Sequence, residues 1–119
     1  MPSSKMNWLL VAGKWQLDEL LPIQNKVVTI KVNGKAYCIG RVGSEYFAVN
    51  NKCPHAGGPL GEGQCDADGN VTCPFHRYKF SLKTGMMVNG QGYYVDTFPL
   101  ELREDGLYIG LRKKWLGIF

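Results

Sequence analysis

The chain has 119 residues, 45% of them hydrophobic and 20% charged, with a formal net charge of +4. That is enough for one compact domain with a sizeable core, and too apolar for a disordered chain. No block of like charges marks a nucleic-acid tail, and no apolar run nears the roughly 18 residues that span a bilayer, so neither nucleic-acid binding nor a membrane span is expected.

The run Trp8-Leu9-Leu10-Val11-Ala12 is too short for the apolar core of a secretion signal and leads straight into patterned sequence. A reducing cytoplasm is therefore expected, where cysteines more often bind metal or react than pair. Gln16 to Leu21 hints at a helix that stops at Pro22. Val28, Ile30 and Val32 then alternate with Val27, Thr29 and Lys31, and Asn33-Gly34 follows. Asn-Gly between alternating runs predicts a hairpin, because both residues tolerate positive φ. The returning strand runs from about Ala36 to Val42, and Gly43-Ser44 turns it into Tyr46 to Val49. From about Asn51 to Gly92 the alternation breaks and glycine and proline accumulate, with Val71-Thr72 as a short strand behind an Asp68-Gly69 turn. Tyr94, Phe98, Leu100 and Leu102 share one face of a strand predicted from about Tyr93 to Arg103. Asp105-Gly106 turns that strand into Leu107, Ile109 and Leu111, again at period two. The pattern predicts a single all-β, antiparallel domain over 1–119, with an irregular insertion at about 51–92. Loops on a rigid β scaffold are a common place for a functional site.

That insertion holds both histidines of the chain and three of its four cysteines. It reads Cys53-Pro54-His55 and later Cys73-Pro74-Phe75-His76, two loops each offering one thiolate and one imidazole. A proline after each cysteine fixes φ and removes a backbone donor, stiffening the loop beside its ligand. Zinc is the ordinary partner of two cysteines and two histidines, but zinc modules usually pair like ligands, two cysteines near one end and two histidines at the other. Here every loop mixes the two types. Interleaved ligands suit a centre with two chemically different metal positions.

Cys53-Pro54-His55-Ala56-Gly57-Gly58-Pro59-Leu60 with Cys73-Pro74-Phe75-His76 resembles the two-loop signature of Rieske [2Fe–2S] domains. The likeness extends through Lys79-Phe80 and Thr84-Gly85 to Asp96–Leu102, roughly residues 8 to 112 in all. It implies an antiparallel β sandwich or partial barrel with a smaller cluster-binding subdomain inserted in it. It also implies one [2Fe–2S] cluster, held by Cys53 and Cys73 on the buried iron and by His55 and His76 on the iron nearer solvent. Two thiolates cancel the charge of the oxidised core, so such a site starts formally neutral and becomes singly negative on reduction. Four thiolates would start from two negative charges, which is why histidine ligation raises the potential.

The chain departs from the Rieske proteins of respiratory complexes, which carry a second cysteine in each loop, joined as a bracing disulfide. Gly58 and Phe75 stand at those positions. Those proteins also place serine and tyrosine hydroxyls near the cluster sulfurs, where this chain has Tyr78 and Phe80. Fewer hydrogen bonds to sulfur lower the potential. The expected value lies in the lower part of the range that Rieske centres span, about −150 to +300 mV. The third loop, over the cluster, corresponds to Asn89-Gly90-Gln91-Gly92, without the proline frequent there in the family.

Other features have plain readings. Cys38 and Cys65 are expected to be packing residues, and Asp66-Ala67-Asp68-Gly69-Asn70 a turn, since its register fails for a calcium loop. Lys52, Arg77, Lys79 and Lys83 flank the ligand loops, either as a solvated face or as steering charges for an acidic redox partner. The apolar tail Lys113-Lys114-Trp115-Leu116-Gly117-Ile118-Phe119 either packs on its own sheet or mediates association, and the oligomeric state stays open. A Rieske oxygenase would need a second domain holding mononuclear iron, for which this chain has neither length nor histidines. The resemblance therefore implies a ferredoxin-type electron carrier between a reductase and an oxygenase or other terminal enzyme, without substrate chemistry of its own. The alternatives are an accessory subunit of a larger reductase, like the small subunit of nitrite reductase, or a structural zinc or redox-sensing module.

Overall fold

The computed structural model describes residues 6–22, 25–54, 57–75, 77–90 and 92–112. Its strands are β1 (Met6–Gly13), β2 (Lys26–Val32), β3 (Lys35–Val42), β4 (Glu45–Asn50), β5 (Gln64–Cys65), β6 (Asn70–Thr72), β7 (Lys79–Ser81), β8 (Thr97–Phe98), β9 (Leu100–Arg103) and β10 (Gly106–Arg112). They form three open antiparallel sheets, ordered β1-β10-β9, β2-β3-β4-β8 and β5-β6-β7. One helix, α1 (Lys14–Leu20), follows β1.

The helix is short, and its capping fits its length. The Gln16 side chain reaches back to accept the Gly13 N–H at 3.0 Å, and Leu17 and Leu21, four residues apart, bury the inner face. The predicted hairpin forms as read: Asn33 and Gly34 take φ values of 54° and 85°, and Val32 pairs with Lys35.

The β2-β3-β4 sheet is buried on both faces. Ile30, Val32, Tyr37, Ile39 and Ala48 pack with Val11, Leu17, Leu21, Leu107 and Ile109 on one side. Val27, Cys38 and Val49 point the opposite way, as period-two alternation requires, and join Cys53, Leu60, Val71, Cys73, Phe80, Leu82 and Val95. The second face is where the irregular insertion docks. Gly40 sits on that face, and a Cβ there would come within 2.7 Å of Leu82 Cδ1. Its absence lets Leu82 approach the sheet.

The long strand predicted from Tyr93 to Arg103 is broken. β8 pairs with β4, β9 pairs with β10, and Pro99 separates them. Proline has no N–H for a ladder, so the chain changes sheets there, while the Pro99 carbonyl accepts the Gly110 N–H at 2.9 Å. The face predicted to be shared by Tyr94, Phe98, Leu100 and Leu102 is correspondingly split: Phe98 and Leu100 pack against the larger core. Tyr94 and Leu102 are exposed, and Val95 is buried instead.

A 3-10 turn at Leu60–Glu62 seats the insertion on β2. The Gly61 N–H donates to Asn51 Oδ1 at 2.6 Å, and the Thr29 hydroxyl meets the same oxygen at 3.3 Å. A Cβ on Gly61 would stand 2.7 Å from the Thr29 backbone nitrogen and overlap its hydroxyl. Gly61→Ala is therefore expected to cost about 1–3 kcal/mol, the usual range for overpacking, read as a lowered denaturant midpoint. Unchanged stability would show that the turn is not pinned to β2.

Candidate metal-cluster site

Two loops leave the β5-β6-β7 layer and the end of β4 and meet at one end of the molecule. The first follows β4 through Asn51 and Lys52 to Cys53, with Lys52 bridged to Pro59 on its return. The second is delivered by β6, as the Val71-Thr72 reading expects, and returns into β7. The hairpin feeding it is closed by Asp66, whose Oδ1 accepts the N–H groups of Asp68 and Asn70, each at 3.0 Å. Gly69 completes the turn at φ 84°.

The two loops share one backbone frame. In the first, Cys53 N–H donates to Gly58 O and Gly57 N–H returns to Cys53 O, both at 2.8 Å. In the second, Cys73 N–H donates to Tyr78 O at 2.7 Å and Arg77 N–H returns to Cys73 O at 3.1 Å. In both, the residue four after the cysteine turns left-handed, Gly57 at φ 73° and Arg77 at φ 59°. The cysteines sit at the buried base of each loop, 1% and 0% exposed, while Pro54, Pro74 and Phe75 are exposed toward the tips.

The loops also touch. A Cβ on Gly58 would come within 3.0 Å of both Cys73 Sγ and Phe75 Cδ2. Gly58 and Phe75, the two positions where a bracing disulfide is absent, thus face one another. An aromatic ring against a glycine backbone takes the place of a covalent link.

A third segment closes over the second loop. Val88 N–H donates to Lys79 O at 2.8 Å, and Met87 N–H donates to Tyr93 O at 3.3 Å. Asn89 accepts the Lys79 N–H through Oδ1 and donates through Nδ2 to Arg77 O, both at 3.0 Å. Tyr78 and Tyr93 stack with centroids 5.8 Å apart. Phe80 is fully buried in the apolar cluster beneath the loops and brings no hydroxyl there.

Cys53 and Cys73 are brought into the same apolar cluster, as the loop reading expects. His55 and His76 lie outside the described residues, as does the tail from Lys113 to Phe119. Among the described residues no three potential metal ligands cluster. Two buried sulfurs at the base of abutting, identically framed loops, with one histidine to follow each in sequence, suit a mixed thiolate–imidazole centre.

The remaining cysteines pack. Cys38 is fully buried, and burial pushes its thiol far up. Cys65 is half-buried, and burial, then the Asp66 carboxylate, pushes its thiol up to about 11. Lys79 is taken by Asp66 at 3.5 Å, and Lys52 and Arg77 are exposed on the loops. Lys83, read as a flanking cation, is exposed beyond β7 beside the Gly69 turn instead, at the other end of the β6-β7 pair. The bonds made by Asn51 and Asn89 are the parts of the site that the sequence reading missed. Asparagine is an ordinary loop residue, and neither side chain has a local partner that spacing could reveal.

The Rieske [2Fe-2S] domain model matches residues 7–99. The 3-phenylpropionate/cinnamic acid dioxygenase ferredoxin subunit of Shigella flexneri serotype 5b (strain 8401) is 43% identical over 71 residues, covering 59% of this chain and 67% of that one. A solved complex of reduced oxygenase and oxidized ferredoxin in carbazole 1,9a-dioxygenase matches at a TM-score of 0.66 and 26% identity, covering 73% and 90% of the two chains. A putative NADH-dependent nitrite reductase small subunit from Mycobacterium tuberculosis shares the fold, with a TM-score of 0.75 at 20% identity over 92% of this chain and 98% of that one.

The Asp66 carboxyl is a pH probe of this end of the fold. Burial raises its pKa, but the Asn70 and Asp68 N–H bonds and Lys79 outweigh that and hold it below its ordinary 3.8. A depressed pKa gives stability that is fully present above the unfolded value and lost as pH falls through the folded one. Asp66→Ala is expected to cost about 1 kcal/mol at pH 7, the usual net worth of such bonds. That cost should shrink toward pH 3 in denaturant titrations. A cost that grows with acidity would contradict the assignment.

Proposed function

Because the chain belongs to the Rieske [2Fe–2S] domain family, we propose that Cys53, His55, Cys73 and His76 hold its [2Fe–2S] cluster and that the protein works as a ferredoxin-type one-electron carrier. The observation that carries this reading is the pair of matching loop frames, each with a buried cysteine at its base and a histidine following in sequence. The cluster, when bound, supplies storage for a single electron.

The chain's own residues do the rest. The apolar cluster beneath Cys53 and Cys73, with Leu60, Phe80 and Leu82 fully buried in it, keeps water from the sulfur side. The loop tips stay at the surface, where an electron has only a short path to a docked protein. Phe75, Met86, Val88, Tyr93 and Tyr94 expose apolar side chains on the loops and the third segment, and Lys52 and Arg77 add positive charge. An apolar patch rimmed by cations suits a transient partner with an acidic rim.

The partners are a reductase that supplies the electron and an oxygenase or similar enzyme that consumes it. The dioxygenase ferredoxin relative and the oxygenase–ferredoxin complex support that assignment. On this reading the protein has no substrate chemistry of its own and works in a reducing, cytoplasmic setting. The likeness to the nitrite reductase small subunit concerns the fold. A complete set of two cysteines and two histidines favours a carrier over an accessory subunit.

Purified alone, the holoprotein is expected to show one reversible one-electron couple in the lower part of the Rieske range, about −150 to +300 mV. Protein-film voltammetry checks this. No couple without a large partner would favour the accessory-subunit reading, and a value near the top of the range would contradict the loss of sulfur hydrogen bonds.

A further inference from the structure

The two ligand loops have the same hydrogen-bonded frame but differ at the residue that must turn left-handed. In the first loop that residue is Gly57, which adopts φ 73° without steric cost. In the second it is Arg77 at φ 59°, where a Cβ makes the conformation unfavourable. The loop's own bonds, Arg77 N–H to Cys73 O and Cys73 N–H to Tyr78 O, hold the turn from within, and the side chain placed to hold it from outside is Asn89.

Its two ends bracket the turn. Nδ2–H donates to the Arg77 carbonyl and Oδ1 accepts the Lys79 N–H, each at 3.0 Å, spanning the peptide units on either side of Tyr78. The amide orientation follows from the partners, since a carbonyl needs the NH₂ end and an N–H needs the oxygen. Asn89 is anchored in turn by its neighbour, for Val88 N–H donates to Lys79 O at 2.8 Å. The first loop has a different brace. Asn51 is tied to Gly61 and Thr29, behind the loop rather than across its turn.

We propose that Asn89 is a positioning residue for the cluster: it locks the strained Arg77 turn and so fixes the loop that carries Cys73 and His76. The proposal rests on the reading that these loops hold a [2Fe–2S] cluster. The bonds from the Asn89 side chain go to backbone groups of Arg77 and Lys79. Its effect passes through the backbone of residues 77–79.

The test uses the holoprotein and the rate of iron release to bathophenanthroline. Asn89→Ala removes both bonds and is expected to speed release about tenfold, the equivalent of roughly 1.4 kcal/mol. Arg77→Gly in the Asn89→Ala background removes the need for the clasp and should bring the rate back to within about threefold of the unaltered protein. Arg77→Ala in the same background removes the same charge but keeps the strained Cβ, and should not rescue. Arg77→Gly in the otherwise unaltered chain is the control: relief of strain alone would slow release by the same factor in both backgrounds, and that result overturns the clasp, whereas a clasp makes the gain larger once Asn89 is gone.

If the Asn89→Ala chain takes up no cluster, the double variant still decides. Uptake restored by Arg77→Gly supports the clasp, and continued failure overturns it. Unchanged release in Asn89→Ala, or equal rescue by glycine and alanine, also overturns it. An unaltered chain that purifies without iron would instead overturn the cluster reading, and with it the role given to Asn89.

Discussion

The structure depends on a β-sheet packed on both faces over most of β2, β3 and β4. One side of this sheet closes the larger core with β1, α1 and β10, and the other is the floor on which the ligand loops rest. Alternation along a strand sends neighbouring residues to opposite sides. Tyr37 and Ile39 thus serve the first core while Cys38 serves the second. A change in register would move both sets at once, so the position of the loops is tied to the packing of the whole molecule. The cross-strand pairs Val28–Ile39 and Ile39–Ala48 hold that register on the larger core, and Cys38–Val49 holds it beneath the loops.

Above this floor, rigidity comes from backbone hydrogen bonds and from missing side-chain atoms. Gly61 lets the turn after the first loop lie directly on Thr29, and Gly40 admits Leu82. Gly58 leaves the space that the Phe75 ring and the Cys73 sulfur fill. An aromatic contact holds the loops together less firmly than a disulfide, which also constrains the unfolded chain. The third segment, through Val88 and Asn89, gives the second loop further support.

Much of this was legible in the sequence. Val27 to Val32 with Asn33-Gly34 defined a hairpin because turn chemistry and period-two alternation are local properties. The Cys-Pro-His and Cys-Pro-Phe-His spacings marked both loops because proline and ligand type act on adjacent residues. What was not legible depends on contacts between distant segments. The strand predicted through Pro99 was broken because the residues on either side pair with different sheets. Alternation cannot report which neighbour a strand will choose. Lys79, read together with the other flanking cations, proved to be paired with Asp66. Asn51 and Asn89 looked like loop asparagines until their partners, 22 and 12 residues away, were seen.

The central claim is that one cluster is bound through two imidazoles as well as two thiolates. Pulsed electron paramagnetic resonance of the dithionite-reduced holoprotein tests it most directly, because nitrogen ligands couple to the unpaired electron and sulfur ligands do not. The account predicts a rhombic signal from two irons per chain with two distinct nitrogen couplings, both lost when His55 and His76 are replaced. A signal without nitrogen coupling, or a colourless protein containing only zinc, would contradict it.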